Sequence, residues 1–146
     1  VTDNSYVYNW ICEGEREHGW KVDEVDYDGH NATDLAIRMN EDRNREDFCV
    51  EVSQTCAGQN LAVKTFRELL LQDRVVIEES PLVLWCLQNA IEIQNNYGDI
   101  KLSKRHKDDT ERIDPVAAAM NALARVLVKR NVTDLNTALD RGDFTF

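Results

Sequence analysis

Residues 104–130, KRHKDDTERIDPVAAAMNALARVLVKR, pass from basic to acidic and then into an apolar helical pattern. Pro115 suits the first position of a helix, where its missing N–H costs no hydrogen bond. Asp114 then falls at the N-cap, where a carboxylate accepts hydrogen bonds from the first backbone N–H groups. The apolar spacing predicts one buried helix face, made of Val116, Met120, Leu123 and Leu127. Asp114 is therefore either a helix cap or an acidic metal ligand held rigidly at the edge of a site.

The chain of 146 residues is acidic: it has 17 Lys and Arg against 27 Asp and Glu, and its net charge is −10. This length predicts a single domain, residues 1–146, with a core of its own. The charge argues against a protein that only binds DNA nonspecifically, because such binding depends on neutralising phosphates. A nuclease stays possible, because an acidic site attracts divalent cations before it meets phosphate.

Several known motifs have no match in the chain. The residues include no phosphate-binding loop, no nucleophile elbow and no glycine-rich dinucleotide motif after a strand. The four cysteines form no Cys-x-x-Cys pair, which favours a reduced intracellular protein with buried thiols. No stretch has the length and apolar character of a membrane span, and residues 1–4 do not resemble the start of a signal peptide. These observations argue against an ATP motor, a dinucleotide-dependent enzyme and a membrane protein.

Helix and strand patterns alternate along the chain. Helices are predicted between Ser5 and Gly19, over 32–44, over 60–73, from Pro81 through Ile91, and over 133–141. Strands are predicted over 20–28, 47–53, 74–78 and 100–102. The alternation predicts an α/β layered domain with a mixed, largely parallel sheet flanked by helices. Because a helix comes before the first strand, we expect this sheet to lack its first strands.

The predicted core includes large apolar side chains from most of these elements. The helix at 60–73 is expected to bury Leu61, Phe66, Leu69 and Leu70. The three tryptophans, Trp10, Trp20 and Trp85, lie on apolar faces. They are interpreted as core residues rather than as platforms that stack on bases.

Two acids occupy positions where ligand sites form. Asp28 ends a predicted strand, and open α/β sheets bind ligands at the carboxyl ends of their strands. If the fold brings Asp28 and Asp114 together, they could share Mg²⁺ or Mn²⁺, which prefer oxygen ligands. A pair of such ions about 4 Å apart can activate water and stabilise a leaving oxygen. Asp26, on the same strand face as Asp28, is the alternative ligand. The spacing equally allows Asp28 to be an ordinary acid at a strand end.

One basic cluster precedes Asp114 in this acidic chain, made of Lys101, Lys104, Arg105, His106, Lys107 and Arg112. It is either a solvated loop or a set of side chains that position phosphate. His30, beside Asp28, could contact the same substrate or could be structural. We take Lys104, Arg105, Lys107, Arg112 and His30 as the candidate DNA-binding residues.

The order of these signals resembles the large terminase subunits of tailed phages. Residues 25–32, VDYDGHNA, resemble the family's strand-end YDxxNA motif. Lys104 and then RIDPVAAAMNAL at 112–123 resemble its K…RIDPVxAxxxAL ending. Between them lie, in the family's order, a strand, a loop at Gln54, a helix ending near Leu70, a short strand, and a helix with Trp85 and Asn89-Ala90. The resemblance extends from about residue 5 to residue 130.

This resemblance implies the C-terminal nuclease domain, with an RNase H-like fold. Such a domain is a metal-dependent DNA endonuclease that cuts concatemeric viral DNA with a two-metal Mg²⁺ or Mn²⁺ site. Carried over, Asp28 is the second acid of that site and Asp114 the late acid, while the first acid is expected upstream of Val1. The implied partners are double-stranded DNA, an upstream ATPase domain, the small terminase subunit and the portal protein, in the cytoplasm of the bacterial host.

Two other interpretations stay open. The chain could be a catalytically incomplete packaging module that docks on the portal or the small subunit. It could also be another RNase H-like nuclease or a resolvase. The sequence upstream would distinguish them, since ATPase motifs followed by a strand ending in Asp favour the terminase nuclease.

Overall fold

A computed structural model describes residues 4–30, 32–77, 79–106 and 110–129. Its elements in chain order are α1 (Asn4–His18), β1 (Val25–Tyr27), α2 (Thr33–Arg43), β2 (Cys49–Glu51), α3 (Cys56–Leu71), α4 (Pro81–Asn89), β3 (Ala90–Gln94), β4 (Ile100–Lys104) and α5 (Asp114–Lys129). The α/β class is confirmed. The chain divides into two compact units, Val1–Val52 and Ser53–Phe146. The single folding domain stays a prediction, and the helix predicted over 133–141 lies outside the described residues.

The first unit contains a β–α–β arrangement. Strands β1 and β2 pair in parallel from Val25↔Cys49 to Tyr27↔Glu51, with α2 as the connection between them. The core cluster consists of Ala36, Met39, Phe48 and Cys49. These elements confirm a strand inside each of the predicted ranges 20–28 and 47–53, although each strand has only three residues, and they confirm the helix near 32–44. Parallel pairing also brings the carboxyl ends of β1 and β2 to one edge.

Helix α1 ends at His18, and Gly19 follows it as predicted, with a φ of +67° that favours glycine. Inside the helix, Gly14 accommodates the Trp20 ring. A Cβ at residue 14 would lie 2.0 Å from Trp20 Cε3. The Trp20 ring also packs edge-on against Trp10, with ring centroids 5.0 Å apart. A glycine that would weaken an ordinary helix is therefore needed here for close packing.

We expect Gly14→Ala to destabilise the first unit, although the same change in an open helix would add about 1 kcal/mol. The new methyl group collides with the indole, so Trp20 must leave its place, and overpacking of this kind costs about 1–3 kcal/mol. Thermal unfolding and tryptophan emission would show both effects. The control is the opposite exchange at Ala57, which is exposed in α3. Ala57→Gly should lower the melting temperature without changing the tryptophan emission. A Gly14→Ala protein with a raised melting temperature would contradict this account.

The prediction that the tryptophans are core residues is wrong. Trp10, Trp20 and Trp85 expose 53%, 41% and 40% of their surface. Trp10 and Trp20 cover each other on the outside of α1, so an apolar ring pair forms without entering the core. An apolar face in the sequence does not distinguish a tryptophan in the core from a tryptophan in a surface pair. A large ring buries much of its area in both cases, although one side of it can stay exposed.

The second unit contains an antiparallel hairpin. Strands β3 and β4 pair from Ala90↔Lys104 to Gln94↔Ile100, and Gly98 in the turn has a φ of +87°. Within the described ranges, therefore, one strand pair is parallel and the other antiparallel, which corrects the expectation of a largely parallel sheet. Strand β3 was missed because residue 91 matched the helical spacing of α4, but that helix ends at Asn89. Residues 74–77 form no strand, so that prediction is also wrong.

Helix α3 begins at Cys56, four residues before the predicted start. The Thr55 hydroxyl caps it by accepting the Gly58 N–H at 3.1 Å, so residues 56–59 are helical rather than a loop. The buried face differs from the predicted one: Leu61 and Leu70 are 57% and 40% exposed. The buried apolar residues are Ala62, Val63 and Leu69, with Phe66 half-buried. Small side chains allow α3 to approach its neighbours closely, which hydrophobic spacing alone does not reveal.

Helix α5 confirms the predicted face. Val116, Met120, Leu123 and Leu127 are all buried, at 4%, 0%, 2% and 9% exposure. Together with Ala62, Val63 and Ile100, three of them form the core cluster of the second unit. The outer edge of β4 is also covered by α3, because Gln59 and Asn60 accept the N–H groups of Leu102 and Ile100 at 3.3 and 3.1 Å. These side chains occupy positions that a further strand would otherwise use.

Candidate functional site

Asp28 lies directly after the carboxyl end of β1 and is exposed. Its Oδ1 accepts the backbone N–H of His30 at 3.2 Å, so Asp28 shapes the turn that follows the strand. Glu51 ends the neighbouring strand and is also exposed. The Glu51 carboxylate lies against Gly29, where an added Cβ would be 2.4 Å from Oε1. The first unit therefore presents two carboxylates near one sheet edge, a position from which ligands are bound in open α/β sheets.

Asp26, the alternative ligand, lies in a different environment. Its Oδ1 is buried. Burial raises the pKa of the Cys49 thiol, and the negative charge of Asp26 raises that pKa further. The Asp26 side chain therefore lies near the buried Cys49 of β2. Tyr27, the last residue of β1, separates Asp26 from the exposed Asp28. Sequence reasoning named Asp26 and missed Glu51, although the strand pattern at 47–53 already placed an acid near its end.

Asp114 begins α5 and is exposed. The first helical hydrogen bond runs from the Ala117 N–H to the Ile113 carbonyl at 2.9 Å. Ile113 is therefore the N-cap, and Asp114 lies in the first turn, one position further into the helix than predicted. A carboxylate in this turn still gains about 0.3–1 kcal/mol from the helix dipole. Burial raises the pKa of the Cys86 thiol, and the charge of Asp114 raises that pKa further, so this acid lies close to the inner side of α4.

A cavity of about 390 Å³ adjoins the first turn of α5 within the second unit. It is lined by Phe66, Ile77, Ser80, Val83, Leu87, Pro115, Val116 and Ala119. Ser80 supplies the polar side chain in an otherwise apolar wall. Such a lining suits an apolar group better than a phosphate, so the candidate DNA-binding surface is elsewhere.

The basic residues before Asp114 divide by their contacts. Arg105 donates its Nη2 hydrogen to the Gln88 carbonyl at 3.1 Å and its backbone N–H to the Asn89 carbonyl at 3.0 Å. The His106 backbone N–H donates to Glu111 Oε2 at 2.8 Å. Arg105 therefore attaches the end of β4 to the end of α4, whereas His106 is bonded to Glu111, a residue between β4 and α5. This supports the structural alternative for both of them.

Lys104 and Arg112, which lie on either side of the β4–α5 connection, remain the candidates for phosphate contact. Lys104 is half-buried at the end of β4, and Arg112 is exposed two residues before Asp114. The Arg112 backbone carbonyl accepts a hydrogen bond from Asn89 Nδ2 at 3.3 Å, which fixes the chain just before the acid. His30 is exposed in the first unit. Lys107 lies outside the described residues.

The carboxylates have the right donor chemistry for Mg²⁺ or Mn²⁺. Within 4–30, 32–77, 79–106 and 110–129, no group of three or more His, Cys, Asp or Glu side chains could hold a metal ion. Mg²⁺, however, is commonly held by one or two carboxylates, with water and substrate phosphate completing its six ligands. The exposed oxygens of Asp28 and Asp114 fit that mode of binding. The two acids lie in different units, and each offers its carboxylate to solvent from the end of a regular element.

The family model for the endonuclease domain of the terminase large subunit matches residues 5–130. Because this match covers most of the chain, the protein belongs to that family. The fold is similar to the crystal structure of the HK97 bacteriophage large terminase, with a TM-score of 0.69 and 23% identity over 85% of this chain. The matched part is 25% of the HK97 chain, so this protein spans about a quarter of that terminase. No curated protein matches the sequence.

None of the described helices has the length and apolar character needed to cross a membrane. All four cysteines are free thiols, with Cys49 and Cys86 buried.

Proposed function

We propose that this chain forms the catalytic part of a DNA endonuclease that cuts concatemeric viral DNA during genome packaging. The observation that carries the proposal is the family match over residues 5–130, within which an exposed acid follows β1 and another begins α5. The parallel β1–α2–β2 arrangement supports the RNase H-like fold that the family membership implies. Asp28 and Asp114 are the proposed metal ligands, with Asp26 as the alternative.

Divalent metal, when bound, would activate a water molecule and stabilise the leaving oxygen of the phosphodiester. The chain's own residues supply the other functions. Asp28 is held in its turn by the His30 N–H, and Asp114 is held in the first turn of α5. Lys104 and Arg112 would contact phosphate, which positions DNA without reading its sequence. Arg105 is better explained as a support for this loop, because its guanidinium is bonded to Gln88.

The partners in this proposal are those of the whole packaging enzyme. They are double-stranded DNA, an upstream ATPase domain, the small terminase subunit and the portal protein, in the cytoplasm of the bacterial host. The main alternative is a non-catalytic module that docks on the portal or the small subunit. The net charge of −10 favours this alternative, because it opposes the approach of DNA unless cations or basic surfaces intervene.

Removal of divalent metal is expected to abolish cleavage. We expect the full-length protein to nick and linearise supercoiled plasmid in Mg²⁺ or Mn²⁺, to lose this activity completely in EDTA, and to regain it when metal is restored. Gel electrophoresis of the plasmid is the measurement. EDTA-resistant cleavage would contradict the metal mechanism. An intact plasmid under every condition, together with retained binding to the portal or small subunit, would favour the docking module.

A further inference from the structure

Two amide side chains lie buried in the second unit, although its core is otherwise apolar. Gln59 is 4% exposed and Asn121 is 6% exposed. Burying an amide is unfavourable unless its polar atoms are hydrogen-bonded. Gln54 connects the two: Gln59 Nε2 donates to Gln54 Oε1 at 2.7 Å, and Gln54 Nε2 donates to Asn121 Oδ1 at 3.1 Å. These three residues, which we name the amide chain, join α3 to α5.

The amide chain is also attached to β4. The Leu102 N–H donates to Gln59 Oε1 at 3.3 Å, and Lys101 Nζ donates to the Gln54 backbone carbonyl at 3.1 Å. From Leu102 to Asn121 every bond has the same direction, with an N–H of one group donating to the oxygen of the next. Turning either glutamine amide over would therefore break the bonds on both of its sides. These bonds therefore favour the observed position of α5 on α3 and β4 over shifted ones.

Apolar packing alone would hold α5 less specifically. The surfaces that meet here include Ala62 and Val63 of α3 and Met120 and Leu123 of α5. Such contacts tolerate small rotations and shifts, whereas hydrogen bonds weaken steeply when their distance or angle changes. Buried polar networks can select one register for this reason.

Asn121 lies seven residues after Asp114 on the same helix. At about 3.6 residues per turn, the two are about two turns apart and on the same side of α5. A rotation or shift of the helix at Asn121 would therefore move the Asp114 carboxylate by a similar amount.

We propose that Gln54 and Asn121 are positioning residues, which set the register of α5 and thereby the place of the Asp114 carboxylate. This inference rests on the proposed function, in which Asp114 holds metal. Residues hydrogen-bonded directly to a metal ligand typically change metal affinity or activity by about 10–100-fold when replaced. Because Gln54 and Asn121 act on Asp114 through the position of the helix, we expect an effect at the lower end of that range, about tenfold.

The test compares Asn121→Leu with Val63→Ala in the full-length protein. Leucine keeps the branching and the number of side-chain heavy atoms of asparagine but cannot accept the hydrogen bond, while Val63→Ala weakens the same core without removing a hydrogen bond of the amide chain. Calorimetric titration with Mn²⁺ in the absence of DNA should show binding weakened about tenfold or more by Asn121→Leu. The Mn²⁺ concentration that half-saturates plasmid cleavage should rise by the same factor. Val63→Ala should lower the melting temperature while keeping the wild-type Mn²⁺ affinity.

Two further variants, Gln54→Leu and Asp114→Ala, complete the test. Gln54 is half-buried, so Gln54→Leu breaks the same bond with less risk to folding if Asn121→Leu does not fold. Wild-type Mn²⁺ affinity in the folded amide variants would overturn the positioning role, as would equal weakening by Val63→Ala. Asp114→Ala separates this failure from failure of the proposed function. If Asp114→Ala leaves Mn²⁺ binding unchanged, Asp114 is not a ligand, and both the positioning role and the proposed role of Asp114 are wrong.

Discussion

Replacing Asp28 or Asp114 with alanine is expected to lower metal-dependent DNA cleavage by more than about a hundredfold. The reason is that loss of a direct metal ligand should exceed the 10–100-fold cost of disturbing a residue behind a ligand. The proteins should still fold, because both side chains are exposed. Asp114→Ala should also lose about 0.3–1 kcal/mol of helix-dipole stabilisation. The measurement is plasmid cleavage in Mn²⁺ by the full-length protein, with circular dichroism as the check on folding.

Asp34 provides the matched control for both variants. It is an exposed acid in the first turn of α2, and so shares the charge and helix position of Asp114. Asp34→Ala should lose a similar helix-dipole contribution and retain wild-type cleavage. Cleavage at the wild-type rate by both Asp28→Ala and Asp114→Ala would show that these acids do not form the site. Equal loss in Asp34→Ala would point instead to a general effect of charge.

Phe48→Ala is expected to lower the free energy of unfolding by about 3–5 kcal/mol, the range for truncating a buried aromatic residue. Phe48 is 2% exposed and is among the largest fully buried side chains in the described residues. Its ring also contacts two cations, with the guanidinium carbons of Arg43 and Arg45 at 4.9 and 5.7 Å from its centroid. Truncation would leave a cavity and remove both contacts.

Urea unfolding measures this loss, with two variants for comparison. Phe48→Leu keeps part of the buried volume and should cost less than alanine. Ile37, on α2 of the same unit, is 53% exposed, so Ile37→Ala should have a small effect. A loss below about 1 kcal/mol in Phe48→Ala, the typical value for an average substitution, would mean that this cluster is not an essential core.

Local patterns predicted the parts of the fold that local forces control. The buried face of α5, the first-unit strands and helix α2 follow hydrophobic spacing and were correct. Helix α3 was misplaced because its cap, Thr55, and its small buried residues have a weaker sequence signal than large leucines. The spacing predicts helix through residue 91, where β3 forms instead, because residue 91 continues the helical spacing of α4 and its pairing partner lies after the turn. Strand pairing depends on residues distant along the chain, which a window of sequence does not contain.

The residues of the candidate site also divide into those that local sequence placed correctly and those that only the structure revealed. Asp28 and Asp114 were placed at a strand end and a helix start by motifs of a few residues, and the structure has them there. Their role as ligands stays a prediction. The sequence does not distinguish Arg105 from the other basic residues before Asp114, whereas the structure does, through its hydrogen bond to the Gln88 carbonyl. The sequence alone did not identify Glu51 or the amide chain, because what distinguishes them is their contacts with residues distant along the chain.

The sequence by itself determined the family, the order of most elements, and the positions of the two candidate acids at a strand end and a helix start. These features follow from short-range chemistry: capping, helical spacing and the alternation of strands. Only the tertiary structure decided that α3 covers the edge of β4, that Trp20 occupies the space left by Gly14, and that Gln54 joins Gln59 to Asn121. Each of these depends on which surfaces meet at close range, where a single side chain or a hydrogen bond of 3.1 Å decides the register. The stretch at 104–130 thus specified its own helix, whereas the position of that helix depends on amides elsewhere in the chain.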